Sequence, residues 1–198
     1  MVHLGTKTIT TDRLILRRLE VADAPAMYRN WASDEEVTKY LMWPYHKSVE
    51  DSESVIASWI PRYEDPEFYL WAIVPKENNE PIGTIAVVKQ HDHIKMAHIG
   101  YCIGRAWWHQ GIMSEALAGV MAFLFNEVGV NRIESRHDPR NPNSGKVMQK
   151  CGMRYEGTLR QGDHNNLGIC DAAMYALLAE EYAELKKQQS LTEGKHHA

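Results

Sequence analysis

The stretch Trp107-Trp108-His109-Gln110-Gly111-Ile112-Met113-Ser114-Glu115-Ala116-Leu117 decides how this chain is to be read. The run from His98 to Ile103 before it reads as a strand. After it, apolar Met113, Leu117, Val120, Met121, Leu124 and Val128 recur at helical spacing. The segment is therefore a strand, a short loop with one glycine, and a helix start. Such a junction aims unpaired backbone N–H groups and the positive end of a helix dipole at one point. A phosphate or pyrophosphate suits that point. A tight strand-to-helix turn also stands without a ligand, and the stretch alone leaves both readings open.

Downstream, Gly129 closes the helix as a C-terminal cap, and Asn131 to Arg136 reads as a further strand. Asp138-Pro139-Arg140-Asn141-Pro142-Asn143-Ser144 then turns into another helix, with Asn141 as cap, Pro142 at the first position and Gly152 just past the end. Strands are predicted at Tyr155–Leu159 and Ile169–Leu177, and a charged helix at Ala179–Gln189. Upstream, Phe68–Val74, Pro81–Lys89 and Ala97–Ile103 are strand signals separated by polar turns, which predicts an antiparallel meander. Leu14–Leu19 predicts a first strand. A helix follows to about Trp31, with Asp23 as its cap before Pro25. Ser48–Tyr63 predicts a second helix, opened by a Ser48/Asp51 capping-box variant and bent or ended by Pro61. The order is mixed α/β in one domain, residues 1–182, with 183–198 as a helix end and flexible tail.

Composition narrows the class. The chain has 198 residues and a hydrophobic fraction of 44%, enough for one sizeable core. Its net charge of −4, without a basic run, argues against non-specific nucleic-acid binding. Cys102, Cys151 and Cys170 are widely spaced and lack a CxxC pair, so neither a disulfide framework nor a zinc site is expected. His91-Asp92-His93 falls in a predicted hairpin turn and reads as exposed rather than metal-binding. No run approaches the ~20 apolar residues of a membrane span, and the first residues show no secretory signal, so a cytoplasmic location is expected. A P-loop and a GxGxxG after the first strand are missing, which disfavours phosphoryl transfer and dinucleotide redox chemistry.

Five words stand in order on the expected elements: Thr11-Asp12-Arg13-Leu14-Ile15-Leu16-Arg17; Pro81-Ile82-Gly83-Thr84-Ile85; Ile99-Gly100-Tyr101; Trp108 to Ala116; and Asn141-x-x-Ser144, continuing to Lys150-Cys151-Gly152-Met153. Together they resemble the GNAT superfamily of acetyl-CoA-dependent N-acetyltransferases, RimJ/RimL branch, over nearly the whole chain. The resemblance implies a single α/β domain with a mostly antiparallel twisted sheet of about seven strands, flanked by helices. It implies no metal, and a homodimer is frequent in that branch. The superfamily signature Gln/Arg-x-x-Gly-x-Gly/Ala is met here by Trp108, Gly111 and Met113, so only Gly111 fits the strict form. Backbone amides do the holding, which tolerates the change.

By that resemblance, Trp108, His109, Gln110, Gly111, Ile112, Met113 and Ser114 bind the coenzyme A pyrophosphate. Tyr101, Cys102 and Ile103 pair with the pantetheine arm, which Asn141 also meets, and Ser144 lies near the thiol. The tyrosine that many members place four residues after Ser144 is Met148 here, which leaves Ser144 as candidate general acid. His98 stands where relatives carry a glutamate. A histidine near pKa ~6.5 is a competent base at neutral pH, so His98 is the candidate general base. The competing readings are a sheet-surface histidine for His98 and a first-turn capping serine for Ser144. The acceptor site would come from Trp31–Tyr69 and the loop at 159–169. Tyr40, Trp43, Tyr45, Trp59 and Trp71 would be its apolar wall, unless they are simply core. The expected reaction moves acetyl from acetyl-CoA to a primary amine, on a ribosomal or other protein N-terminus or on a small molecule. The alternative is a non-catalytic coenzyme A-binding module.

Overall fold

The structure, a computed structural model, describes residues 1–193. The sequence reading of Gly194–Ala198 as a flexible end lies outside the described residues. Alternating apolar residues form eight strands among the described residues: β1 (Ile9–Thr10), β2 (Leu14–Arg17), β3 (Leu70–Pro75), β4 (Gly83–His91), β5 (Met96–Ile103), β6 (Arg132–His137), β7 (Arg154–Asn165) and β8 (Gly168–Leu178). They join in one sheet in the order β1-β2-β3-β4-β5-β6-β8-β7. Every pairing is antiparallel except β5 with β6. The sequence implied about seven strands; the additional one is the two-residue β1, too short to carry an apolar period.

Helices α1 (Ala24–Met27), α2 (Glu35–Thr38), α3 (Val49–Trp59), α4 (Ile112–Phe123), α5 (Pro142–Lys150) and α6 (Ala179–Glu193) cover the sheet. β3 is buried along its whole length because both faces are covered. Its Trp71 and Ile73 join the core that also holds Leu117 and Val120 of α4. Its Leu70, Ala72 and Val74 join the core on the other face, with Met27 and Ile56 from α1 and α3.

Local signals place the ends. Ser48 caps α3, and Asp51 completes the box by accepting from the Ser48 backbone N–H. α4 runs on into a π turn at Leu124–Val128, which Gly129 closes in the left-handed region at φ +76°. Asp23 does not cap α1. Its carboxylate is taken by Arg17 at 2.7 and 2.8 Å and by the Glu20 backbone N–H at 2.9 Å. Asn141 makes no capping bond either. Pro142 alone, with no N–H to satisfy, opens α5 there. The predicted loop at 159–169 is mostly strand: β7 and β8 form a long hairpin with register shifts near Gly157 and between Leu159 and Asp163.

Candidate active site

β5 and β6 run side by side only from Met96 to His98 against Arg132 to Glu134. Beyond that, the rest of β5 pairs with β4 alone and the rest of β6 with β8 alone. At the fork, Ser135 Oγ donates to the Ile99 carbonyl at 2.7 Å. The two strands therefore open as a V. The opening belongs to a cleft of about 760 Å³ that runs from Trp108–Ser114 past His98 to Tyr40–Trp43.

One end of the cleft is the loop before α4. His109 and Gly111 both adopt the left-handed region, at φ +61° and +75°. A non-glycine residue there carries strain. Side chains hold the loop in place. Trp108 Nε1 donates to the Ile103 carbonyl at 2.9 Å, Gln110 Nε2 to the Ala106 carbonyl at 2.8 Å, and Arg13 Nη1 to the Gln110 carbonyl at 3.1 Å. Arg13 is itself fixed by Glu115 at 2.6 Å. The backbone N–H groups of residues 109–114 have no protein partner among the described residues, and the first that does is Glu115, bonding the Gly111 carbonyl at 3.1 Å. Six successive free donors at a helix start make a concave anion site. Lys150 Nζ lies beside Gly111 at this end, and Lys146, one turn earlier on the same helix, lines the cleft.

Across the V stands α5. Asn141 lines the cleft, and its side-chain amide has no hydrogen-bond partner among the described residues. Tyr101 Oη donates to the Ser144 carbonyl at 2.9 Å, and Ser144 Oγ donates to Tyr101 Oη at 3.2 Å. Burial pushes the Tyr101 phenol well up, so it stays protonated. Met148, one turn on, is wholly buried in the core.

At the fork lies His98, 3% exposed. Its Nδ1 faces Glu134 Oε1 at 3.0 Å, so Nδ1 carries the proton and Nε2 keeps its lone pair. Arg136 Nη1 is 3.5 Å from that Nε2. Arg136 pairs with Asp163 of β7, and Arg132 pairs with both Glu134 and Glu156. Burial lowers the His98 pKa, the Glu134 hydrogen bond opposes that, and the net direction is down. His98 is therefore neutral near pH 7.

The described segments match a known pattern. The sequence profile of the acetyltransferase (GNAT) domain fits residues 13–154. The chain belongs to the GNAT acetyltransferase family. It is 32% identical over 177 residues to the uncharacterized N-acetyltransferase p20 of Bacillus licheniformis, covering 89% of this chain and 99% of that one. The ribosomal-protein-serine acetyltransferase of Escherichia coli is 26% identical over 137 residues, 69% of this chain and 75% of its own. A solved RimL, titled as the ribosomal L7/L12 alpha-N-protein acetyltransferase in complex with coenzyme A, superposes at TM-score 0.78 with 23% identity, covering 88% of this chain and 99% of its own. This GNAT protein is thus an acyltransferase, and its likeness to RimL is one of fold.

In this GNAT cleft the expected residues are sorted by their surroundings. Tyr40 and Trp43 line it with Tyr101, Cys102, Ile103, Trp108, His109, Ile112, Met113 and Ser114. Trp71 does not. It is wholly buried on the α4 side of the sheet, with Nε1 donating to the Lys7 carbonyl at 2.6 Å. Tyr45 is not among the lining residues and is 38% exposed. Gln110 gives one of its two amide N–H groups to the Ala106 carbonyl of its own loop and is not among the residues that line the cleft. Glu134, Arg136 and Asp163 were not singled out from the sequence. The alternation Arg132-Ile133-Glu134-Ser135-Arg136 did place three charges on one strand face. Nothing local said that His98 would lie beside them.

Proposed function

We propose that this GNAT enzyme transfers acetyl from acetyl-CoA directly to a primary amine, within a ternary complex. The observation that carries the reading is the row of unpartnered amides at 109–114, continuous with the V between β5 and β6. The amides and the two lysines suit a pyrophosphate. The free edge of β5 at Tyr101–Ile103 and the unpaired amide of Asn141 suit an extended pantetheine with its own amide groups. The solved complex of RimL with coenzyme A agrees with this use of the fold.

The chemistry follows from the charges at the fork. A lysine-like amine, with pKa near ~10.4, is mostly protonated at pH 7, and even an α-amine near ~7.7–8.0 is partly so. His98 Nε2, neutral and oriented by Glu134, takes the proton as the amine nitrogen bonds to the acetyl carbon, the amine replacing the long 3.5 Å contact that Arg136 Nη1 makes to that nitrogen. The carbon–sulfur bond breaks, the second proton that the nitrogen sheds passes through the hydrogen-bonded Ser144 and Tyr101 hydroxyls to the departing sulfur, and the proton on His98 is released to solvent. The amide N–H groups along β5 polarise the carbonyl oxygen. Direct transfer fits the thiols as well. Burial raises Cys102, and it pushes Cys151 up to about 12, so neither is a nucleophilic thiolate. Steady-state thiol release from acetyl-CoA tests the reading. Release that depends on amine, with intersecting initial-velocity lines, is expected. Parallel lines, or release indifferent to amine, would sink it.

A further inference from the structure

The acceptor end of the cleft has a roof. Residues 39–43 cross it as a strap after α2, and Tyr40, Leu41, Met42 and Trp43 line the cleft. The strap is tied to the turn of the β7–β8 hairpin by a single residue, Asn166. Its Nδ2 donates to the Thr38 carbonyl at 2.9 Å and to the Trp43 carbonyl at 2.7 Å, and its backbone N–H donates to the Leu41 carbonyl at 3.0 Å. A second tie is Tyr40 Oη, which donates to the Arg140 carbonyl at 3.2 Å, just before α5. Trp43 also packs against His46, with ring centroids 5.4 Å apart, and His46 is pinned to Ser52 at 2.7 Å.

Under the roof the walls are mostly apolar, with Met27, Val37, Leu41, Trp43, Trp59 and Phe68, and the charge among them is a cation, Arg62, 4.1 Å over the Phe68 ring. Charge is the second observation. Among the described residues that line the cleft, the carboxylates are Asp138 and Asp163. Asp138 is held by Arg140 at 2.6 Å and Asp163 by Arg136. A polyamine or aminoglycoside carries several ammonium groups, and each would have to leave water for a carboxylate that is already paired. An amine with one charge and an aliphatic or aromatic body loses nothing there, because its one charge is neutralised at His98 and its body buries against the walls.

We infer that the acceptor is a small monoamine with an apolar body, and that Asn166 is the positioning residue that keeps the strap closed over it. The inference rests on the acetyl-transfer reading above and narrows its acceptor.

The test compares phenylethylamine and phenylalanine amide with spermidine, an aminoglycoside and a long peptide that begins with phenylalanine. kcat/KM is measured for each, beside direct calorimetric binding of acetyl-CoA. The two apolar monoamines are expected to lead by at least about tenfold, the margin that one unpaired buried charge or one well-filled apolar wall provides. In Asn166→Ala the acceptor KM is expected to rise about three- to tenfold, with kcat and the KM for acetyl-CoA little changed. Asn166→Gln, which keeps the carboxamide donor, should recover part of that rise. Asn166 is exposed on a turn, so the melting temperature should fall by only a few degrees, and a variant fully folded at the assay temperature separates positioning from folding. Spermidine, the aminoglycoside or the long peptide in the lead would overturn the inference, as would an unchanged acceptor KM in Asn166→Ala. No turnover with any amine despite bound acetyl-CoA overturns it as well. Failure to bind acetyl-CoA overturns the acetyl-transfer reading itself.

Discussion

Burial of His98 and the carboxylate at its Nδ1 act in opposite directions on the same proton. Burial disfavours the imidazolium and wins, so the folded pKa lies below the ordinary histidine value of ~6.5. The protonated ring cannot take a proton from the amine, so kcat/KM falls as pH falls through that lowered pKa. The acid limb of the profile is therefore expected below pH ~6.5. His98→Ala should cost about 10²–10⁴ in kcat and abolish that limb; an unchanged rate over pH ~6–9 would remove His98 from the mechanism. Glu134→Gln removes the charge that raises the His98 pKa. Its limb should move further to the acid side, with a smaller loss of kcat than His98→Ala, whereas a purely structural role for Glu134 would leave the limb in place. The serine reading gains a neighbour at this scale. Ser144 does not stand alone at the mouth of α5, because the hydroxyl of Tyr101, a residue chosen for its backbone, reaches it from β5.

Two glycines show what the loops and strands require. Gly111 sits at φ +75°, and a Cβ there would only touch Lys150 Nζ at 3.4 Å and Arg13 Nη2 at 3.7 Å. Its freedom is needed for the backbone and not for space. Gly111→Ala should therefore cost about 1–2 kcal/mol of strain, seen as a drop of roughly 2–8 °C in Tm. Its larger effect should be a loss of at least about tenfold in acetyl-CoA affinity by calorimetry, because the free amides turn away from a common point. Unchanged affinity would mean that this loop does not hold the donor. Gly83 answers to space: a Cβ there would lie 2.3 Å from the Cys102 carbonyl oxygen, across the β4–β5 ladder. That explains the glycine in Pro81-Ile82-Gly83. The helix starts teach the opposite lesson. Asn141-Pro142 has the residue types of a capped helix, yet the amide turns into the cleft and proline opens the helix by itself. A cap and a ligand contact call for the same side chain, and the local sequence has no way to choose between them.

Across the whole molecule, arginines on β6 reach past β8 to carboxylates on β7. Arg132 holds Glu156 at 2.6 Å, and Arg136 holds Asp163. Arg140 beside Asp138 brings that carboxyl down to about 2, and Arg132 lowers Glu156. These groups hold fewer protons folded than unfolded. Their contribution to stability is thus complete above the ordinary carboxylate range of ~4 and is lost as pH falls toward ~2. Thermal melts are expected to drop steeply between pH ~4.5 and ~2.5, and Asp138→Asn should flatten that slope; an identical slope in the variant would deny Asp138 this role. The sequence by itself determined the order of elements, the α/β class and the free amides before α4. Those features rest on apolar period, glycine and proline, which act within a few residues. Only the tertiary structure decided that β6 lies parallel to β5 and sets Glu134 on His98. It also decided that Trp71 faces α4 while Trp43 faces the cleft, and that Asn166 ties down a strap more than a hundred residues away in the chain. Alternation tells which residues of a strand share a face. Which neighbour that strand takes, and what covers each face, is settled by long-range pairing and packing, and no local pattern encodes them.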